Sequence, residues 1–107
     1  MSIATGRELG PAEKVSHEDD LELEALARAA RLLGLWAAGL MELEPPHQDS
    51  YAEAVIRYDH SHTGDEAILR KIAQDLAGAG LKVSEDQVRG KHGECMAIAR
   101  GQVQAQG

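Results

Sequence analysis

The chain contains no phenylalanine, and its 107 residues include only three aromatic ones, Trp36, Tyr51 and Tyr58. Its interior must therefore be built from leucine, isoleucine, valine, alanine and methionine. β-Sandwiches and barrels draw on aromatic and β-branched residues, of which this composition has few. A chain of this length supports one domain. The composition predicts a single all-helical domain.

Positive charge is also scarce, since 11 basic residues stand against 18 acidic ones and the formal net charge is −7. Duplex binders gain affinity when Lys and Arg displace counterions from phosphates, and single-strand binders stack bases on aromatic side chains. The chain lacks both means. Nucleic acid is therefore excluded as a partner, and a protein with a basic patch is favoured.

Cysteine occurs once, as Cys95, so no intrachain disulfide can form, which suits a reducing compartment. The N-terminus lacks the basic and apolar regions of a signal peptide. The longest apolar stretch, residues 32–41, is interrupted by glycines and is too short to span a bilayer. These absences predict a cytoplasmic protein without membrane insertion.

The acidic excess is concentrated near the N-terminus. Residues 1–26 contain two basic and seven acidic residues, a net charge of −5, whereas the remaining 81 residues carry nine basic and 11 acidic residues, a net charge of −2. Residues 1–16 lack a sustained apolar stripe and contain the pair Gly10–Pro11, which disfavours helix. We predict a mobile N-terminal arm over residues 1–16 and a four-helix domain over residues 17–107.

A helical pattern begins at His17 and continues to Glu44, with apolar residues at three- and four-residue intervals. They are Leu21, Ala25, Ala29, Leu32, Leu33, Trp36, Leu40 and Leu43. Gly34 and Gly39 interrupt the pattern and are expected to allow close approach of another helix. Pro45–Pro46 is expected to end this helix.

Three shorter helices follow, each introduced by a capping-box pattern of Ser or Thr with Glu or Gln three residues later. These patterns begin at Ser50, Thr63 and Ser84, and Gly78 and Gly80 are expected to end the third helix. The inward positions of the last helix are expected to be Val88, Cys95, Ile98 and Val103. Because the connections are short, the sequence predicts an all-α four-helix bundle with one long first helix and three shorter ones.

Few residues point to chemistry. The segment 59–65 contains two histidines and two aspartates, but their spacing matches no specific metal site, and a solvated loop explains them better. Cys95 has His92 three residues before it, and a small buried cysteine explains it better than a nucleophile does. No glycine loop precedes a helix as phosphate binding requires. The sequence therefore predicts neither an enzyme nor a metal site.

Trp36, Lys91 and His92 form a candidate groove for a small molecule. A tryptophan among leucines most simply anchors a core, but a lysine and a histidine are unusual near the packing face of the last helix. If the three side chains line an open groove, they suit a purine nucleotide such as ATP or ADP. Nucleotide sensing is therefore an alternative function, although no phosphate motif supports it and no cofactor is otherwise expected.

A wider pattern extends over most of the chain. It comprises Arg31–Ala38, Leu40, Tyr51–Val55, Asp59, Gly64–Glu66, Leu69–Lys71, Asp75–Leu76 and Val83–Ser84. In order and spacing these residues resemble the zeta-subunit family, the small inhibitor proteins of the F-type ATP synthase of alphaproteobacteria. The resemblance covers residues 14–103, and its most specific part is LLGLWAA, residues 32–38.

The resemblance implies a four-helix fold and an arm that becomes helical as it enters a catalytic interface between the alpha and beta subunits, near the gamma subunit. There the arm hinders rotation in the hydrolysing direction and permits synthesis. Arg7, Glu8, Lys14 and His17 match the family's arm in place and type. The implied protein is a regulatory subunit without catalytic activity, on the cytoplasmic side of the membrane-bound synthase.

The arm departs from the family at its apolar positions. Family members carry phenylalanines where this chain has Ala4, Pro11 and Val15, and Gly10 replaces a helix-forming residue. Loss of buried aromatic anchors weakens binding, and Gly10–Pro11 should interrupt a continuous helix through the arm. We therefore expect an inhibitor with a weakened arm, the alternatives being a nucleotide sensor and a bundle that binds another protein without inhibiting it.

Overall fold

The computed structural model describes the backbone of residues 2–61 and 65–106, and the side chains of residues 20–59 and 66–106. In these ranges the backbone forms four helices and no strand. The helices are α1 (Ser2–Leu40), α2 (Pro45–Ser61), α3 (Asp65–Gly78) and α4 (Glu85–Gln106). The predicted all-α class, with one long first helix and three shorter ones, is confirmed.

Helix α1 is longer than the bundle to which it belongs. Its 39 residues span about 58 Å at a rise of about 1.5 Å per residue, close to the 63 Å long axis of the molecule. Helix α4 runs antiparallel to α1, since Lys91 lies beside Trp36 and Arg100 beside Glu22. With 22 residues, α4 spans only about 33 Å, so the N-terminal part of α1 extends past it.

The helix continues through Gly10 and Pro11, so the prediction that this pair interrupts it is wrong for the backbone. Proline holds φ at about −65°, which is a helical value, and removes only one backbone donor. Relative to alanine, proline inside a helix still costs about 3 kcal/mol and glycine about 1 kcal/mol. The division into a mobile arm over residues 1–16 and a domain over residues 17–107 stays a prediction.

Helix α1 ends in a Schellman motif, four residues before its predicted end. The N–H of Leu43 donates to the carbonyl of Ala38 at 3.1 Å, and the N–H of Glu42 donates to the carbonyl of Gly39 at 3.0 Å. Glu42 adopts the left-handed conformation, with φ 58°, in the position where glycine is most common. The helix therefore stops because of this turn and not because of the prolines that follow.

Helix α2 begins at Pro45, and the capping box predicted at Ser50 is wrong. Proline suits the first helical turn, where its missing N–H is not needed, and the N–H of Gln48 donates to the carbonyl of Glu44 at 2.9 Å. Ser50 lies inside the helix, and its hydroxyl donates to the carbonyl of Pro46 at 3.1 Å. The prolines expected to end α1 thus begin α2.

The capping box predicted for α4 is confirmed. The N–H of Ser84 donates to Oε1 of Gln87 at 2.8 Å, and the N–H of Gln87 donates to Oγ of Ser84 at 3.1 Å. Helix α3 ends at the predicted glycines, where Gly80 adopts φ 85°. The predicted cap of α3, Thr63, lies outside the described residues.

The core is aliphatic, as the composition predicted. No aromatic side chain among the described residues is fully buried, and Trp36 packs against the core while partly exposed. Ile98, expected inside, is 52% exposed, because the helical repeat turns Met96 and Ala99 inward instead. The buried cluster contains Ala25, Ala29, Ala30, Leu33, Ala37, Val55, Ile68, Leu69, Ile72, Leu76, Val88, Cys95, Met96, Ala99 and Val103.

Helices α1 and α2 approach closely at Gly34. A Cβ at this position would lie 2.9 Å from Cα of Ala52 and 3.3 Å from Cβ of Val55. The predicted close approach is therefore confirmed at Gly34. It is wrong at Gly39, where an added Cβ would meet no atom within 4 Å.

Candidate functional site

The contact residues predicted from the resemblance, Arg7, Glu8, Lys14 and His17, belong to the N-terminal part of α1. Their side chains are outside those that the structure describes, so their roles stay predictions. The helical backbone spreads the four positions over about 15 Å of a single helix.

The side chains of α1 are described from the point at which the predicted arm joins the bundle. We call residues 21–28 of α1 the arm base. Within it, Oε2 of Glu22 accepts a hydrogen bond from Nη2 of Arg100 at 3.0 Å, and Oε1 of Glu22 lies 3.4 Å from Nε of the same arginine. The hydrogen bond from Arg100 lowers the pKa of the Glu22 carboxyl. This two-point contact joins the arm base to α4.

Arg28 makes the second polar contact between the arm base and α4. Its Nη2 donates to Oε1 of Gln106, and its Nη1 lies 3.5 Å from Oε1 of Gln102. Glu24, one turn earlier on α1, lies 3.7 Å from the same guanidinium. The last two turns of α4 are thus joined to α1 by side chains at the surface.

A cleft of about 210 Å³ lies between the arm base and α4. Leu21, Ala25 and Val103 provide its apolar lining, and the Glu22–Arg100 pair lies at its polar side. Ala25 and Val103 are both small and almost completely buried. The junction between the predicted arm and the bundle therefore combines small buried apolar side chains with surface polar contacts.

The structure brings Lys91 to Trp36, as the candidate nucleotide groove requires. Nζ of Lys91 lies 6.0 Å from the centre of the Trp36 ring and 3.3 Å from Oε1 of Glu94. His92 is half-buried on the same helix. Neither the cleft at the arm base nor a second one of about 440 Å³, beside Leu81 and the start of α4, is lined by these three residues. Binding of ATP or ADP there stays a prediction.

No group of three or more His, Cys, Asp or Glu side chains that could hold a metal ion occurs among the described residues. The predicted loop over residues 59–65 is wrong at both ends, because residues 59–61 belong to α2 and Asp65 begins α3. The side chains of His60, His62 and Asp65 are outside those that the structure describes, so their interpretation as solvated side chains stays a prediction. Cys95 is buried, and its burial raises the pKa of the thiol. The thiol is therefore protonated at neutral pH, which agrees with its interpretation as a small core residue.

The sequence did not predict the polar contacts between the arm base and α4. Glu22 and Arg100 are 78 residues apart, and neither belongs to a motif. The acidic run near the start of the first helical pattern was the only signal that pointed to this region. Pairing an acidic residue of the first helix with a basic one of the last requires knowledge of how the two helices are aligned.

Four helices, of which the first is by far the longest, define a small all-α bundle protein. The family model described as ATPase inhibitor subunit zeta matches residues 1–102, almost the whole chain. The chain therefore belongs to the ATPase inhibitor subunit zeta family, which confirms the resemblance noted in the sequence. Membership implies a regulatory protein that associates with ATP synthase.

A solved structure supports the same fold. A protein determined by solution NMR is 31% identical, with 80% of this chain and 98% of that chain covered and a TM-score of 0.69. No curated protein is significantly similar to the chain. In the part of the chain that the structure describes, none of the helices is both long and apolar enough to cross a membrane.

Proposed function

We propose that this protein inhibits ATP hydrolysis by the F-type ATP synthase by inserting its N-terminal arm at a catalytic interface between alpha and beta subunits, next to gamma. The observation that carries the proposal is the continuity of α1 from Ser2 to Leu40, in a chain that belongs to the inhibitor family. A helix that projects from a bundle can enter a groove while the bundle stays outside. The protein would act on the cytoplasmic side of the membrane.

The physical basis is a helix that binds with a modest ordering cost. A segment that is already helical loses less conformational entropy on binding than an unstructured one. Gly10 and Pro11 act in the opposite direction, because together they cost about 4 kcal/mol of helix stability relative to alanine. The missing phenylalanines remove apolar anchors as well. We therefore propose an arm that binds weakly.

The test compares ATP hydrolysis by the protein's own synthase head in the presence of the full chain and of a chain lacking residues 1–17. We expect partial inhibition by the full chain and none by the truncated one. Circular dichroism of the truncated chain verifies that the bundle is intact. Equal inhibition by both chains would refute the role of the arm, and no inhibition by either would refute the inhibitory function in this member.

A second experiment tests whether Gly10 and Pro11 weaken binding of the arm. Replacing Gly10 and Pro11 together by alanine should lower the half-inhibitory concentration about tenfold or more, because the arm helix becomes more stable. The replacement of Gly93 by alanine on α4 is the matched control, since it also favours helix but lies outside the arm. An unchanged half-inhibitory concentration in the double variant would show that the pair does not limit binding.

A purine-nucleotide sensor is the second candidate, favoured only by the position of Lys91 near the Trp36 ring. Because Trp36 is the sole tryptophan, its fluorescence reports on this region directly. Titration with ATP or ADP should change the emission if the groove binds nucleotide, and Lys91→Met should abolish the change. Constant emission up to millimolar nucleotide would remove this candidate.

A further inference from the structure

The arm base is close to the first residue of α1 whose side chain the structure describes, and it contacts α4. Helix α4 ends at Gln106, and the polar contacts from Arg100, Gln102 and Gln106 all reach the arm base. Farther along α1, Leu33 is fully buried in the core.

Small apolar side chains lie at the contact between the arm base and α4. Leu21, Ala25 and Val103 line a partly open cleft of about 210 Å³ there, beside the Glu22–Arg100 pair. The contacts of Glu22 and Arg28 with α4 lie at the surface. They are the described polar interactions that oppose separation of α1 from α4 at this point.

We propose that Glu22 and Arg100 are positioning residues for the arm: their contact holds the arm base on α4 and thereby sets the direction in which the arm leaves the bundle. This inference rests on the proposed inhibitory function of the arm. Residues 2–21 would form a lever about 30 Å long. Tilting it by about 10° displaces the tip by about 5 Å, close to the pitch of one helical turn.

A surface ion pair contributes little to the stability of a fold, so the effect of this pair should fall on the arm and not on the bundle. Nη2 of Arg89 and Oε1 of Glu66 form an ion pair of the same kind between α3 and α4 at 2.6 Å. Its side chains are 46% and 64% exposed, compared with 53% and 48% for Arg100 and Glu22. The Arg89 pair is therefore the matched control.

The experiment measures two quantities in the full chain: inhibition of ATP hydrolysis by the protein's own synthase head, and amide hydrogen exchange in residues 21–28. Arg100→Gln should raise the half-inhibitory concentration about two- to fivefold, because a looser arm loses more freedom on binding. Exchange in the arm base should accelerate. Arg89→Gln should change neither quantity.

The charge-swapped double variant, Glu22→Arg with Arg100→Glu, should bring both the half-inhibitory concentration and the amide exchange rate back toward those of the unmodified chain, because it re-forms the ion pair. If Arg100 acted only by packing, the swap would not restore either quantity. If the unmodified chain inhibits and Arg100→Gln inhibits equally well, the positioning role is refuted. If the unmodified chain does not inhibit, the proposed function fails, and amide hydrogen exchange in residues 21–28 still tests whether the pair holds the arm base. An unchanged exchange rate in Arg100→Gln would refute the claim that the pair holds the arm base on α4.

Discussion

Replacing Gly34 by alanine should destabilise the bundle, although alanine is the better helix former. The added Cβ would lie 2.9 Å from Cα of Ala52 and 3.3 Å from Cβ and Cγ2 of Val55. Carbon atoms pack best at about 3.5–4.0 Å, so α2 would have to move outward by roughly 0.6–1 Å. The nearest obstacle is a backbone atom, which cannot rotate away as a side-chain end can.

Two opposing contributions determine the size of the effect. Alanine in place of glycine stabilises a helix interior by about 1 kcal/mol, whereas overpacking a well-filled interface costs about 1–3 kcal/mol. Arg31, three residues before Gly34, adds to the resistance, because it joins α1 to Asp49 and Glu53 of α2 at 3.3 and 3.2 Å. The difference is a net loss of up to about 2 kcal/mol, which lowers the melting temperature by up to about 16 °C.

Urea unfolding followed by circular dichroism provides the measurement. Gly93→Ala is the matched control, because Gly93 also lies inside a helix but an added Cβ there meets no atom within 4 Å. It should raise the free energy of unfolding by about 0.5–1 kcal/mol. A Gly34→Ala protein stabilised as much as Gly93→Ala would refute the close contact between α1 and α2.

Three further predictions concern helix ends and pH. Glu42→Gly should raise the free energy of unfolding by up to about 1 kcal/mol, because Glu42 adopts φ 58°. Glu42→Ala is the control, since alanine retains the left-handed strain. An equal gain in both variants would contradict this reasoning. Ser84→Ala should cost about 1 kcal/mol in thermal or urea unfolding, since it removes the hydroxyl that caps α4, and Ser84→Asp should retain most of the stability. Burial, with the hydrogen bond that Tyr51 donates to Asp75 at 2.7 Å, raises the pKa of the Tyr51 phenol. The associated stability is fully present below the unfolded pKa of about 10 and falls as the pH rises above it, so urea midpoints should decrease at alkaline pH and do so less steeply in Tyr51→Phe.

Local signals in the sequence were sufficient for two helix ends. The capping box at Ser84 and the glycine stop at Gly80 are confirmed because each depends on backbone groups within a few residues. The start of α2 was predicted wrongly because Pro45 can either end one helix or begin the next. Proline is common both just after a helix and in the first turn of one. The left-handed turn at Glu42 ends α1 before Pro45, so Pro45 begins α2.

The sequence by itself determined the all-α class, the aliphatic core and the family, because composition, helical repeat and segment order are all properties of a single chain. Tertiary structure decided which of two similar glycines contacts another helix: Gly34 meets α2, and Gly39 meets nothing. It also decided that Glu22 pairs with Arg100 across 78 residues. Both outcomes depend on the alignment and rotation of packed helices, which the repeat of one helix does not specify.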